Sequence, residues 1–379
     1  MSPAALGLAL GVLSLGHLFT GLRHTKFTEL AELATGDPAR RICFAFLLAF
    51  SSWTLMSLAW SPDPMEALED LAPFVLTAPV AGVLAIELSQ TRPRTMPFAI
   101  PLGIIAASVL LIMEMKGVTS LHRAVVAENQ LFDLNRMALW VALLLACWPV
   151  LLAMLRVPII LTISALVLGV AALMQTDAQA AQLALAAGLL AAGIARLLPR
   201  LVPWVFGAVA AAIVAMPFLI GGMGAMTDAM PKSFVEQAHT GHRVALWEGY
   251  AALVPQRFLL GHGAYANREL GMSGKAGSVA AARGYPAFTT NPHNGALEVW
   301  IDYGAVGAAL IAGLFVSLGL LVSRLPQPPR TAATFLFATA CCYALTGSSI
   351  MQGWWLANLA VALGALIALE RMRRARGHS

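Results

Sequence analysis

Long apolar runs separated by short polar connections repeat along nearly the whole chain. A helix needs about 20 largely apolar residues to cross a bilayer. By that rule the runs predict spans near 3–22, 42–60, 72–88, 97–115, 137–155, 157–174, 180–198, 201–221, 303–323, 331–350 and 353–369. No Lys or Arg precedes the first run, so it reads as a membrane helix rather than a cleaved leader. The polar stretch 23–41 has room for a short amphipathic helix. One large interruption lies between 222 and 292, where polar and small residues continue for about 70 residues, and connections that long are usually functional. The pattern therefore divides the chain into an N-terminal transmembrane bundle (1–221), a large loop (222–292), and C-terminal helices with a basic tail (293–379).

Composition sharpens this picture. Of 379 residues, 59% are hydrophobic and 11% charged, with a mean hydropathy of +0.76. Soluble domains carry roughly 25% charged residues, so an ordinary soluble enzyme is excluded, as are disorder, a coiled coil and a disulfide scaffold. The expected fold is all-α: a polytopic helical membrane protein with about eleven transmembrane helices, ten to twelve allowing for boundaries. Cys43, Cys147, Cys341 and Cys342 lie in apolar runs without metal-ligand spacing, as small hydrophobes do.

The net charge of +5 sets topology rather than nucleic-acid binding. No basic cluster has the aromatic or motif context that nucleic acid requires. Arg23, Lys26, Arg40, Arg41, Arg92, Arg94, Arg156, Arg196, Arg200, Arg324, Arg330 and the tail arginines fall on one side if the helices alternate. That side is expected to be cytoplasmic, with the C-terminus inside. Asp63, Glu66, Glu69 and Asp70 mark the outer side. The remaining Lys and Arg sit in two outer segments: Lys116, Arg123 and Arg136 in one, and Lys232, Arg243, Arg257, Arg268, Lys275 and Arg283 in the large loop. Outer positive charge opposes the topology rule, and an anion-binding role accounts for it.

Within the large loop, Thr240–Leu253 has helical spacing that places Arg243 and Trp247 on one face. Gly261-His262-Gly263 permits a tight turn with close backbone approach. Asn291-Pro292 is a turn signal ahead of the next membrane helix, which puts His293 at that helix's N-terminus. A helix N-terminus disfavours imidazolium, so His293 should stay neutral and accept a proton. Guanidinium groups suit phosphate oxygens. A neutral His among arginines at a membrane surface thus fits a site where a lipid-linked phosphate leaves and a hydroxyl is deprotonated. The residues alone leave open that His293 caps or packs and that Arg243 snorkels.

The ordered set Arg243…Trp247…Pro255…Gly261-x-Gly263, then His293-Asn294-x-x-Leu297 and Gly304-x-x-Gly307, resembles the O-antigen ligase and O-antigen polymerase family. The likeness is close over the loop and the following helix, and rests on topology elsewhere. It implies a glycosyltransferase of the bacterial inner membrane with a membrane-embedded fold of the C type, working at the periplasmic face without metal or other cofactor. The implied donor is an undecaprenyl-pyrophosphate-linked glycan. The acceptor would be lipid A-core for a ligase or a second lipid-linked repeat unit for a polymerase. Carried onto this chain, the resemblance makes His293 the general base and sets Arg243 on the donor pyrophosphate. Trp247, Gly261, Gly263 and Asn294 join as substrate-binding candidates. The implied reaction is direct displacement at the anomeric carbon with inversion.

There is one departure. Family members often carry a second Arg where this chain reads Thr176-Asp177-Ala178-Gln179. Arg136 is the candidate substitute, against an interfacial anchor or a pair with Asp133. Glu298 and Asp302 read as structural, and His239, His242 and His262 as loop residues. Trp354-Trp355 reads as an interface marker. A transporter is the second alternative, but it would place ionisable groups inside its spans, and here Glu87 and Glu114 near helix ends are the closest cases. A non-enzymatic scaffold would leave the outer Arg and His residues without a purpose. Ligase stands ahead of polymerase, although the residues do not separate the two.

Overall fold

The computed structural model describes residues 36–69, 71, 95–117, 130–154, 157–231, 240–347, 350 and 352–376, and among these every regular element is a helix. The helices are α1 (Pro38–Met56), α2 (Met96–Met115), α3 (Gln130–Leu144), α4 (Trp148–Leu152), α5 (Ile159–Met174), α6 (Gln179–Leu197) and α7 (Val202–Asp228). The large loop folds into α8 (Thr240–Leu253), α9 (Ala266–Met272) and α10 (Ser278–Ala282). The chain then continues as α11 (Gly295–Ser323), α12 (Gln327–Thr346) and α13 (Gly353–Arg376).

Among the described residues seven helical stretches are long and apolar enough to cross a membrane. They are Pro38–Trp60, Pro97–Met115, Leu134–Leu152, Gln179–Leu197, Pro199–Thr227, Gly295–Ser323 and Gly353–Arg374. The sequence predicts about eleven, and the difference has local causes. The spans expected at 3–22 and 72–88 lie outside the described residues. The run at 157–174 becomes α5, a helix of 16 residues. At 1.5 Å per residue that is about 24 Å, short of the ~30 Å hydrocarbon layer. The run at 331–350 becomes α12, which starts earlier and carries several buried threonines.

Local signals explain the helix ends. Asp37 caps α1 by accepting from the Ala39 N–H (3.0 Å), with Pro38 at the first helical position. Pro149 has no N–H to close the turn behind it, and the chain passes through a 3₁₀ turn at Leu145–Cys147. At the far end of α11, Arg324 pairs with Asp37 at 3.2 Å. This exposed pair is worth at most about 1 kcal/mol, but it sets two of the basic connections at one end of the bundle. At the other end, Arg268 of the loop lies 3.8 Å from Glu66 of the acidic turn.

Helix α11 organises the core. It packs along α7 and α1, while α6 packs along α12. Small residues set these close approaches: Gly319 faces Phe206 of α7, Gly313 faces Phe46 of α1, and Gly188 of α6 faces Thr339 and Phe335 of α12. Large apolar side chains such as Ile159, Ile160, Leu190, Trp204 and Phe218 remain on the outside, as expected of a lipid-facing surface.

The sequence places the start of this span near 303, yet α11 begins eight residues earlier and breaks at Gly304 (φ 65°, ψ −163°). Every residue from Gly295 to Gly304 is buried, whereas beyond the break much of the helix surface is open. Non-helical backbone at membrane depth is tolerated only where protein or water satisfies it. Here the loop does so. The His262 N–H donates to the Ile301 carbonyl (2.7 Å) and the Gly263 N–H to that of Asp302 (3.1 Å). The Ala305 and Val306 N–H groups donate to the Phe258 (2.8 Å) and Leu259 (3.3 Å) carbonyls. The indole N–H of Trp53 donates to the Tyr303 carbonyl at 3.0 Å. Each freed backbone group would cost about 1–3 kcal/mol if left unpaired.

Candidate active site

Two elements meet at His293: helix α8 and the turn that leads into α11. The turn is built by short polar side chains. The Thr289 hydroxyl donates to the Asn291 carbonyl (2.8 Å), and the His293 N–H donates to Asn291 Oδ1 (2.9 Å). Asn294, fully buried, caps α11 by accepting from the Ala296 (3.1 Å) and Leu297 (3.2 Å) N–H groups through Oδ1. Between them His293 sits at φ 51°, a left-handed conformation uncommon for a side-chain-bearing residue. Backbone outliers of this kind cost roughly 1–3 kcal/mol and cluster at functional sites. Helix α8 spans the residues its spacing predicts. It holds the turn through the Trp247 indole N–H, which donates to the Pro292 carbonyl at 2.8 Å.

The His293 ring is mostly buried, and its Nδ1 lies 3.3 Å from the Gly347 carbonyl at the end of α12. A carbonyl only accepts, so Nδ1 carries the proton and Nε2 presents a lone pair. Burial lowers the pKa of His293. The Gly347 bond opposes this, while the Arg243 charge and then His242 lower it further. The neutral state expected from the sequence is thus the favoured one. Its cause is desolvation and neighbouring positive charge, where sequence reasoning invoked the helix terminus.

Arg243 is largely buried, which lowers its pKa, but a guanidinium remains cationic at neutral pH. The side chains of Arg243 and Arg136 both lie within electrostatic reach of the Tyr343 hydroxyl on α12. Arg136, at the start of the predicted 137–155 span, stacks over the Trp354 ring with 5.0 Å to its centroid. The structure therefore brings His293, Arg243 and Arg136 to one end of the bundle. Beside them opens a cavity of about 310 Å³ lined by Arg136, Arg268, Glu298, Asp302, Gln352 and Trp354, among others.

The other sequence-selected residues take different places. A Cβ on Gly261 would run into the backbone of Asp302 and Gly304, and one on Gly263 into that of Trp60 and Ser61. The close approach these glycines permit is thus to the chain's own helices. Asn294 is occupied as a cap, and its amide nitrogen is buried without a partner. Glu298 accepts from the Ile350 N–H (2.9 Å), and Asp302 accepts from both the backbone and the side-chain nitrogen of Asn267 (2.7 Å each). Tyr250 completes this cluster by donating to the Asn267 carbonyl at 2.8 Å. Burial, followed by the Asp302 and Glu298 charges, raises its pKa and keeps it a donor. His262 lies 3.2 Å from the Leu253 carbonyl, His242 stacks loosely on Tyr285, and His239 lies outside the described residues. Trp355 is buried against Tyr343 rather than set at an interface, and Trp354 carries Arg136.

Sequence reasoning missed Gly347 and Trp53. Gly347 stands in Thr346-Gly347-Ser348-Ser349, a turn signal inside what reads as one continuous span. Nothing in the run around Trp53 distinguishes it from a lipid-facing aromatic.

Residues 164–312 match the family model described as O-Antigen ligase. No curated protein and no solved structure matches the chain. The matched segment includes Arg243, His293 and the break at Gly304, but not Arg136, Gly347 or Trp354.

Proposed function

Taking residues 164–312 as a segment of the O-antigen ligase family, we propose that the chain is a multi-pass glycosyltransferase that moves a glycan from undecaprenyl pyrophosphate to a hydroxyl acceptor. The active site faces the periplasm of the bacterial inner membrane, and the C-terminus is cytoplasmic. The acceptor is lipid A-core, which makes the protein a ligase. The observation that carries this reading is His293, a neutral histidine whose Nδ1–H is fixed on the Gly347 carbonyl and whose Nε2 is left as a base beside Arg243.

In this mechanism His293 Nε2 takes the proton of the acceptor hydroxyl as its oxygen attacks the anomeric carbon. The bond to the pyrophosphate oxygen breaks on the opposite face, which inverts the configuration. Arg243 and Arg136 balance the charge that develops on the leaving group. Trp247 and Asn294 act as positioning residues through Pro292 and the α11 N-terminus.

The deciding experiment reconstitutes the protein in lipid with a glycan-bearing undecaprenyl pyrophosphate and offers each acceptor separately. Product on lipid A-core establishes the ligase. A ladder of longer lipid-linked chains instead makes it a polymerase, and no product with either acceptor overturns the transferase reading.

A guanidinium fork cannot be replaced by an ammonium at a bidentate site. Arg243→Lys should therefore raise the donor KM by about tenfold or more, and Arg136→Ala should weaken donor use to a smaller degree. Unchanged donor kinetics for Arg243→Lys would remove the pyrophosphate contact from the mechanism.

The pH profile follows from the depressed pKa of His293. Only the neutral ring accepts a proton, so kcat/KM should be full at neutral pH and fall as the pH drops through the His293 pKa. The midpoint of that fall should lie below 6.5, the ordinary histidine value. A midpoint above that value would mean that the Gly347 bond outweighs burial and Arg243.

A further inference from the structure

Which nitrogen of the His293 ring carries the proton depends on a single backbone oxygen, the Gly347 carbonyl 3.3 Å from Nδ1. Gly347 closes α12, and its own N–H donates to the Tyr343 carbonyl at 2.7 Å, which ties it to the helix behind. Three residues further on, the Ile350 N–H donates to Oε2 of Glu298 at 2.9 Å. Three peptide units reach at most about 11 Å, so an anchor at Ile350 also restrains the Gly347 carbonyl. Glu298 lies in the first turn of α11, five residues after His293, and is fully buried. A carboxylate stripped of water binds an N–H strongly, and the positive end of the α11 dipole favours its ionised form. The packing agrees, because a Cβ on Gly295 would run into the Ile350 side chain and come against the Ala344 carbonyl. The start of α11 thus grips the end of α12 and the residues after it at two points, the His293 ring and Glu298. The helix needs no acid for its own start, since Asn294 already caps it. Asp302 and Tyr250, the titratable groups that face Glu298, are engaged with Asn267, and the charges facing the His293 ring are those of Arg243 and His242 on α8.

We propose that Glu298 is a positioning residue: by holding Ile350 it keeps the Gly347 carbonyl on Nδ1 of His293, and so keeps Nε2 free to act as the base. Glu298 touches neither substrate in this role and acts through the backbone of residues 347–350. Its effect on rate rests on the transferase reading, whereas the position of the ring proton is a property of the folded chain by itself.

The test reads the ring directly. Nitrogen NMR over a pH series, on full-length protein in lipid with isotope-labelled histidine, reports which ring nitrogen holds the proton and where the ring titrates. The signal that disappears in His293→Gln identifies residue 293. The unmodified protein should carry the proton on Nδ1. In Glu298→Ala the proton should spread over both nitrogens. The titration midpoint should also fall by about one pH unit, because the Gly347 bond that favours the cation is weakened. Glu298→Gln keeps an acceptor oxygen and should retain the proton on Nδ1. Ile350→Pro removes the donor instead of the acceptor and should reproduce the Glu298→Ala result, even where that variant fails to fold. In reconstituted transfer, Glu298→Ala should lower kcat by about a hundredfold with the donor KM unchanged, and Glu298→Gln should restore most of the rate. A proton that stays on Nδ1 in both Glu298→Ala and Ile350→Pro overturns the positioning role. An equal fall of the midpoint in Glu298→Gln and Glu298→Ala overturns it too, since charge would then be the cause. Failure of the transferase reading is seen separately, as an unmodified protein that makes no product while the ring proton still responds to Glu298→Ala.

Discussion

Replacing His293 with alanine should abolish glycan transfer while the protein still inserts and folds. General-base catalysis contributes typically 10²–10⁴-fold, and here the base is held from both sides, so a loss of about a thousandfold or more in kcat is the expected result. His293→Gln should be equally inactive, because an amide at that position can bond Gly347 but cannot take a proton at neutral pH. The side chain makes one hydrogen bond, to Gly347, and residue 293 is held at φ 51° by the Asn291 and Asn294 bonds to the backbone on either side. A melting temperature close to that of the unmodified protein should therefore accompany the loss. Initial rates of product formation, set beside thermal unfolding in the same detergent, make the measurement. A rate within tenfold of the unmodified enzyme would remove His293 as the base.

Gly304→Ala should cause a large loss of stability. Residue 304 sits at φ 65° and ψ −163°, a region open essentially to glycine alone. A Cβ there would also run into the Leu259 carbonyl oxygen and the Gly261 nitrogen. Backbone strain alone costs about 1–3 kcal/mol. Relieving the clash means pulling the 258–263 segment away from α11, which breaks the hydrogen bonds that seal the kink. A loss of about 3–5 kcal/mol follows, seen as a lower melting temperature and a poor yield of folded protein. Gly193→Ala is the matched control, since a Cβ on that α6 glycine meets nothing within 4 Å. It should leave stability nearly unchanged. Equal melting temperatures for the two variants would mean that the broken helix and its loop are not coupled in this way.

The parts legible in the sequence were those written in periodicity and turn chemistry. Apolar runs located α1, α2 and α6 to within a few residues and the starts of α7 and α13, each of which continues seven residues past its predicted end, and helical spacing located α8. Asn291-Pro292 marked the turn that delivers His293 to a helix start. What the pattern misplaced was the start of α11. Glu298 and Asp302 interrupt the apolar run, so the apolar count alone put the span at 303 although the turn signal already set His293 at a helix start. In the fold both carboxylates are satisfied by N–H groups of Ile350 and Asn267, so they are carried inside a helix. Gly304-x-x-Gly307 was noticed as a motif, and its meaning as a helix break appears only once residues some forty positions earlier dock on it. The same is true of Gly261 and Gly263, whose partners are backbone atoms distant in sequence. Contacts between far-separated backbone groups leave no periodic trace, and Gly347 under the His293 ring belongs to that class.

The break also fixes a height. If the part of α11 after Gly304 fills the hydrocarbon, its nineteen residues supply about 29 Å, close to the thickness of the layer. The buried stretch before it then rises at most about 14 Å more to Gly295. His293 is thereby held off the membrane surface like the arm of a gauge, above the acyl chains yet close enough for a substrate still rooted in them. In the proposed transfer a lipid-borne glycan need not leave the bilayer to react, and the acceptor hydroxyl must reach the same level. On that reading, the length of one helical half sets which sugar along an anchored chain comes opposite His293.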